Sequence, residues 1–347
     1  MKIIFVGINF RDGKGGVASV LNEYSYIFPD ALFISSTSSK NQLLKIYYGV
    51  IAVIKCICYS LMFSKAIFHI HGASYNSFHR KYIYFLILKF FRAKVIYHIH
   101  GAEYQIFYNS SDKRTKNKIK YFINNVDCLI CLSSFWKDFF AKEFSPRKIK
   151  IIPNIVPAPI NKKKKEGDVF NFLFLGHISK RKGVWLLLDV IERIKEKISG
   201  KIVFNFGGNG EIEKFKKTIK DKNLAEIVNY IGWISGDDKI NHLSKADAFI
   251  LPSYNEGLPI SILEAMTYGL PIISTNVGGI PEIIKDKVNG LIIEPGSHNQ
   301  LEESLKFVLQ NNSEFKNFGR SSSQLIKPHL PENVKIELTK IYNSIFL

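Results

Sequence analysis

The sequence predicts an α/β protein built from two doubly wound, Rossmann-like domains. Three observations carry this. Short apolar runs, of a length suited to strands buried on both faces, alternate with stretches of helical length. The chain opens with a strand, a glycine-rich loop and a helix, the first unit of such a domain. Its 347 residues, 46% of them apolar, suffice for two cores, and the segment 157–167, with Pro157, Pro159 and Lys162 to Lys165, reads as the linker between them. The expected division is 1–165, 166–330 and a closing segment 331–347.

Taken in order, 2–7 reads as a buried strand and 9–16 as a loop carrying Gly13, Gly15 and Gly16, followed by a helix over about 17–28. The loop is neither G-x-G-x-x-G nor a P-loop, which disfavours a nicotinamide or Walker-type site. The long apolar stretch 43–63 is interrupted by Lys45 and Lys55, so it reads as an amphipathic or core helix rather than a membrane span. A strand over 66–70 leads to His69-Ile70-His71-Gly72. The helix 77–91 interleaves Tyr82, Phe85, Leu86, Phe90 and Phe91 with Arg80, Lys81, Lys89 and Arg92, a mixture equally suited to an anionic interface or to a core helix with a basic edge. A strand at 94–98 precedes His100-Gly101, and His98 and His100 share a face. Lys113, Lys116 and Lys120 share a helical face. The strand 126–132 carries Cys128 and Cys131 on opposite faces, against a metal pair, and Ser133-Ser134 caps the next helix. Past the linker, 170–175 is a strand, Gly176 to Gly183 a basic loop, 184 onward a helix, 201–206 a strand before Gly207-Gly208-Asn209-Gly210, and 228–232 a strand before Trp233-Ile234. A helix over 332–346 closes the chain.

The chemistry concentrates in 247–282. A buried strand at 248–251 ends at Pro252. Asn255-Glu256-Gly257-Leu258 turns the chain, Pro259 suits the first helical position, and the helix 260–268 is closed by Gly269 and Pro271. A helix starting just after a strand presents free amides and the positive end of its dipole, a ready phosphate site, and Gly257 permits close approach. Glu256 and Glu264 flank the spot, and carboxylates accept hydrogen bonds from sugar hydroxyls, so a ligand bearing both phosphate and polyol is expected. Singly, each Glu could be a turn cap or a solvated helix residue.

Glu256-x7-Glu264, with Gly257-Leu258-Pro259 and the continuation from Gly269 to Glu282, resembles the donor site of family 4 retaining glycosyltransferases, which have the GT-B fold of two Rossmann-like domains facing a central cleft. The resemblance implies that Glu256, with Gly257, Leu258, Pro259 and Ile260 after it and the amides this stretch offers, holds the transferred sugar and diphosphate, and that Glu264 binds the ribose. It implies that Lys182 contacts the diphosphate, that Gly15 and Gly16 close over the phosphates, that His100 contacts the sugar near the anomeric centre, and that Trp233 and Ile234 line the base pocket. Gly208 belongs to a second close-approach loop. His177 stands where the family has Arg, a departure that Arg181 could offset. The implied donor is a UDP-, GDP- or ADP-sugar, with no cofactor and no metal. The last helix is expected to pack back on the first domain.

Charge is uneven. Residues 1–165 hold 26 Lys+Arg and 8 Asp+Glu, a net 26 − 8 = +18; residues 166–347 hold 22 of each, a net of 0. The first domain therefore has an anionic partner, and without a nucleic-acid module signature an anionic membrane is favoured over nucleic acid. Four cysteines without a framework and the lack of a signal-peptide pattern fit a reduced, cytoplasmic protein, peripheral on the inner membrane face. The expected function is retaining sugar transfer to a glycan or lipid-linked acceptor in surface polysaccharide synthesis. The rivals are a soluble GT-B enzyme acting away from membranes and a catalytically silent sugar-nucleotide-binding subunit, the latter favoured by His177.

Overall fold

The computed structural model describes residues 1–11, 15–38, 41–158 and 169–346. The linker lysines Lys162 to Lys165 and Gly13 lie outside the described residues. The chain divides into two compact units, Met1–Val156 with His329–Leu347, and Pro157–Pro328, where the sequence suggested breaks after 165 and 330.

In the first unit the strands are β1 (Lys2–Gly7), β2 (Leu32–Ser35), β3 (Ala66–Gly72), β4 (Lys94–Ile99), β5 (Cys128–Cys131) and β6 (Ile149–Ile151). They form one sheet in the order β2-β1-β3-β4-β5-β6, and every pairing is parallel. In the second unit β7 (Phe170–Leu175), β8 (Ile202–Gly207), β9 (Val228–Gly232), β10 (Ala248–Leu251), β11 (Ile272–Thr275) and β12 (Gly290–Ile293) form a second parallel sheet, ordered β12-β11-β10-β7-β8-β9. Helices connect successive strands, as parallel pairing requires. The strands are apolar end to end because both faces are covered: β3, β5, β10 and β11 are buried throughout.

Strand order reverses at β1/β3 in the first sheet and at β7/β10 in the second. Loops leaving the carboxyl ends of strands at such a switch point form the ligand crevice of an open α/β sheet. In the second unit those loops carry Arg181, Lys182 and Glu256.

Three local expectations need correction. Pro259 is not the first helical residue; it sits one place earlier, as the extended N-cap of Ile260–Thr267 (ψ 119°), because its ring fixes φ and leaves ψ free to enter the helix. Helix Gln42–Met62 does not pack as a core element: only Ala52 and Cys56 are buried, while Leu43, Ile46, Tyr47, Val50, Ile54, Leu61 and Met62 are exposed. It is long and apolar enough to cross a membrane by length and composition. In helix Asn76–Phe90, Lys81 is not part of a solvated basic edge. It is buried with Phe78, Tyr84, Phe85 and Leu88, its ammonium against the Ser36 hydroxyl.

Helices His298–Gln310 and Asn312–Leu325 complete the second unit. The final helix, Pro331–Asn343, belongs to the first: Tyr342 packs edge-on to Phe28 and its hydroxyl lies 2.8 Å from His69 Nδ1.

Candidate functional site

Glu256 reaches its position by a sequence of local constraints. β10 ends at Pro252, and the following loop is held to its neighbours by main-chain bonds: Tyr254 N donates to Arg181 O (2.8 Å) and Gly279 N to Gly257 O (2.8 Å). Thr275 Oγ1 donates to Ser253 O (2.7 Å). Two glycines make these approaches possible. A Cβ on Gly183 (φ +73°) would stand 1.9 Å from Pro252 O, and one on Gly278 (φ +56°) 2.0 Å from Glu256 O. No other residue type combines that conformation with that closeness.

The Glu256 carboxylate is 5% exposed. Lys182 Nζ donates to Oε1 at 2.5 Å and Ser253 Oγ donates to the same oxygen at 2.7 Å. Arg181 NH1 lies 3.9 Å from Oε2 and donates to Asn255 O at 3.0 Å. A carboxylate this buried is tolerable because cation and hydroxyl donors replace its water. Immediately beyond it, helix Ile260–Thr267 begins with no side-chain cap, so the amides of Ile260 and Ser261 stand at the dipole's positive end without one. Glu264, 9% exposed, lies on this helix and accepts from Lys239 Nζ at 2.5 Å.

The remaining residues named for the second unit lie on the same carboxyl edge of its sheet. Gly208 follows β8, with φ +156° and a Cβ position 1.8 Å from Gly176 O; its N–H donates to Gly232 O at 2.8 Å. Trp233 follows β9 and is exposed; Ile234 packs beside Gly207. His177 is exposed, its ring set against Gly210. The structure thus brings Lys182, Arg181, Glu256, Gly257, Leu258, Pro259 and Ile260 together around one helix start, with Glu264 one to two turns along it.

Gly15, Gly16 and His100 belong to the first unit. Gly15 is the N-cap of helix Gly16–Ile27, with φ 106°. His100 follows β4 and belongs to a stack of four imidazoles. β3 alternation places His69 and His71 on one face, β4 places His98 and His100 there too, and the register sets His71 opposite His98. The rings stack at centroid distances of 4.4 Å (His69–His71) and 5.0 Å (His71–His100). His71 Nδ1 lies 2.9 Å from His100 Nε2, and His100 Nδ1 lies 3.2 Å from Asn154 Oδ1. Burial pushes His69 down to about 3 and His100 to about 4, with the Asn154 contact opposing the shift in His100. His69, His71 and His98 hold ring nitrogens within 4.8 Å of one another, close enough for a cation. Their near-parallel rings, however, aim the nitrogen lone pairs along separate planes, and His69 is already engaged by Tyr342 and His98.

Three functional contacts escaped the sequence. Ser253 stands three residues before Glu256, a spacing at which a hydroxyl reaches a turn carboxylate, so it was findable. Lys239 meets Glu264 across 25 residues and Asn154 meets His100 across 54; no local pattern marks either.

Residues 157–324 match the family model described as Glycosyl transferases group 1, and residues 62–158 the model described as Glycosyltransferase Family 4. An uncharacterized glycosyltransferase of Methanocaldococcus jannaschii is 29% identical over 231 residues, 65% of this chain and 62% of that one. The GDP-mannose-dependent alpha-(1-6)-phosphatidylinositol monomannoside mannosyltransferase of Mycobacterium tuberculosis is 25% identical over 54% of this chain and 53% of its own. The UDP-Gal:alpha-D-GlcNAc-diphosphoundecaprenol alpha-1,3-galactosyltransferase of Escherichia coli is 34% identical over 48% of this chain and 47% of its own. The chain therefore spans about half to three fifths of the length of these curated relatives. Among solved structures, Anabaena HepE in complex with UDP superposes with a TM-score of 0.80 at 15% identity, covering 99% of this chain and 100% of that one. At that identity the likeness carries the fold, two Rossmann-like domains of the GT-B class.

Proposed function

We propose that this chain, which belongs to the group 1 and family 4 glycosyltransferases, moves a sugar from a nucleoside-diphosphate donor to an acceptor hydroxyl with retention of anomeric configuration and without a metal. The acceptor is a lipid-linked glycan of surface polysaccharide synthesis. One observation carries the reading: a buried Glu256, bound by Lys182 and Ser253 and flanked by Arg181, stands at the uncapped start of a helix whose second carboxylate, Glu264, is held by Lys239.

The chemical task is to stabilise charge growing on the departing diphosphate. Lys182 and Arg181 supply cations, and the amides after Glu256 supply fixed dipoles. With a donor bound, Lys182 turns from Glu256 to the diphosphate and Glu256 accepts hydroxyls of the transferred sugar. Glu256 is thus assigned as a sugar-binding group rather than a nucleophile. Glu264 receives the ribose and Trp233 and Ile234 the base; Gly208 keeps the phosphate approach open. The relatives acting on diphosphoundecaprenol and phosphatidylinositol acceptors support a lipid-linked substrate. The net charge of +18 in residues 1–165 supports a peripheral position on the anionic cytoplasmic face of a membrane.

Calorimetry against UDP-, GDP- and ADP-sugars tests the donor, and product formation by wild type and Glu256→Ala tests the role of Glu256. Turnover retained by a folded Glu256→Ala protein would refute the assignment. A second reading, a silent sugar-nucleotide-binding subunit, is favoured by His177 in the place of an expected Arg; binding without any product would support it.

A further inference from the structure

The first unit holds a groove that none of these roles uses. It lies between helices Gln42–Met62 and Asn76–Phe90 as an open depression of about 610 Å3. Ile46, Val50, Val53 and Ile83 form apolar walls, and Lys45 and Arg80 stand among them. Among the described residues no acidic side chain lines it. Between Asp30 and Glu103 the sequence holds no Asp or Glu at all and nine Lys+Arg. The Arg80 Nε is buried without a hydrogen-bond partner among the described residues. Beside it the buried Lys81 meets the Ser36 hydroxyl and lies over the Tyr84 ring, 5.4 Å from its centroid. A buried guanidinium Nε left without a partner is costly unless an acceptor completes it.

The location matters as much as the lining. Thr37, just past β2, closes one side, and Asn9, just past β1, donates Nδ2 to Tyr48 OH on the longer helix (3.2 Å). The groove therefore opens at the carboxyl edge of the first sheet, the edge that also ends in His100. Away from that edge the apolar surface continues along the same helix through Ile54 and Leu61, both exposed.

We infer that this groove binds the lipid end of the acceptor, a prenyl phosphate, with the phosphate on Lys45 and Arg80 and the first isoprene units against Ile46, Val50, Val53 and Ile83. The assignment rests on the lipid-linked acceptor of the proposed function and adds where that lipid sits. A bilayer phospholipid shares the chemistry. The acceptor lipid is favoured because the cationic end opens at the sheet edge where substrates bind rather than at the far end of the apolar stripe.

Gly49 gives the cleanest test. It lines the groove, and a Cβ placed there meets nothing closer than Tyr84 OH at 4.0 Å. A Leu would project into the groove, and inside a helix it is favoured over Gly, so loss of fold does not confuse the result. Decaprenyl phosphate in neutral-detergent micelles is titrated into the full chain, without donor, for wild type, Gly49→Leu and Arg80→Gln. The expected result is saturable binding weakened at least tenfold in both variants, with nucleotide-sugar affinity unchanged and no displacement by phosphatidylglycerol. Equal binding by wild type and variants would overturn the inference, as would equal displacement by phosphatidylglycerol. Binding is read without turnover, so failure of sugar transfer counts against the proposed function and not against the groove.

Discussion

Lys182→Met separates the structural from the chemical role of the Lys182–Glu256 pair. The two side chains are 13% and 6% exposed and 2.5 Å apart. Removing one partner of such a pair costs about 3–5 kcal/mol when the other charge is stranded. Here Ser253 remains on Oε1 and Arg181 can close from 3.9 Å, recovering about 1.5–3 kcal/mol as a charged hydrogen bond. The net expectation is a loss of about 2 kcal/mol. Glu256→Gln keeps the shape and lets Lys182 turn toward water, at about 1 kcal/mol. The double variant strands no charge, so it should be destabilised by less than the sum, with a coupling of about 1–2 kcal/mol. Urea unfolding followed by Trp185 and Trp233 fluorescence, both in the second unit, measures all four corners. Donor affinity in Lys182→Met should fall about 10- to 150-fold. Wild-type stability in Lys182→Met, or strict additivity in the double variant, would show that the contact is not the one described.

Two further outcomes are expected. Gly278→Ala puts a methyl 2.0 Å from Glu256 O at φ +56° and should cost at least about 2 kcal/mol with loss of donor binding; Gly200→Ala, also at positive φ but in open space, should cost about 1 kcal/mol and leave activity intact, and similar activity in the two would refute the close-approach argument. The first unit should weaken in acid. Burial holds His69 near 3 and His100 and His329 near 4, so the unfolded chain binds protons below about pH 6.5 that the native protein refuses. Stability present above that pH is lost as pH falls toward 4, by up to about 2 kcal/mol per imidazole by pH 5. An unfolding midpoint that is the same at pH 7.5 and pH 5 would contradict the buried neutral stack.

The second unit was legible in its sequence to an unusual degree because its signals are local. Gly257, Gly269 and Pro271 mark turns and stops within a few residues, and β7 and β9 fall where apolar runs predict them. The first unit was harder. Helix Gln42–Met62 carries an apolar stripe whose burial depends on what lies opposite, and nothing in 42–62 specifies that. Lys81 follows Arg80 and resembles a solvated basic edge until helix packing turns it inward. The pairing of Lys239 with Glu264 and the four-imidazole stack depend on sheet order and register, which the one-dimensional pattern does not encode.

The first unit is assembled from two separated lengths of chain, Met1–Val156 and His329–Leu347. Because synthesis is vectorial, Phe28 and His69 wait for Tyr342 while the 172 residues between 156 and 329 are translated, roughly 10–35 s on the ribosome. During that interval the nascent amino-terminal half exposes the patch its last helix will cover, along with the apolar stripe of Gln42–Met62. Loss of Tyr342, or of the helix that carries it, should therefore weaken the first unit through this discontinuous topology rather than through any weakness of the sheet itself.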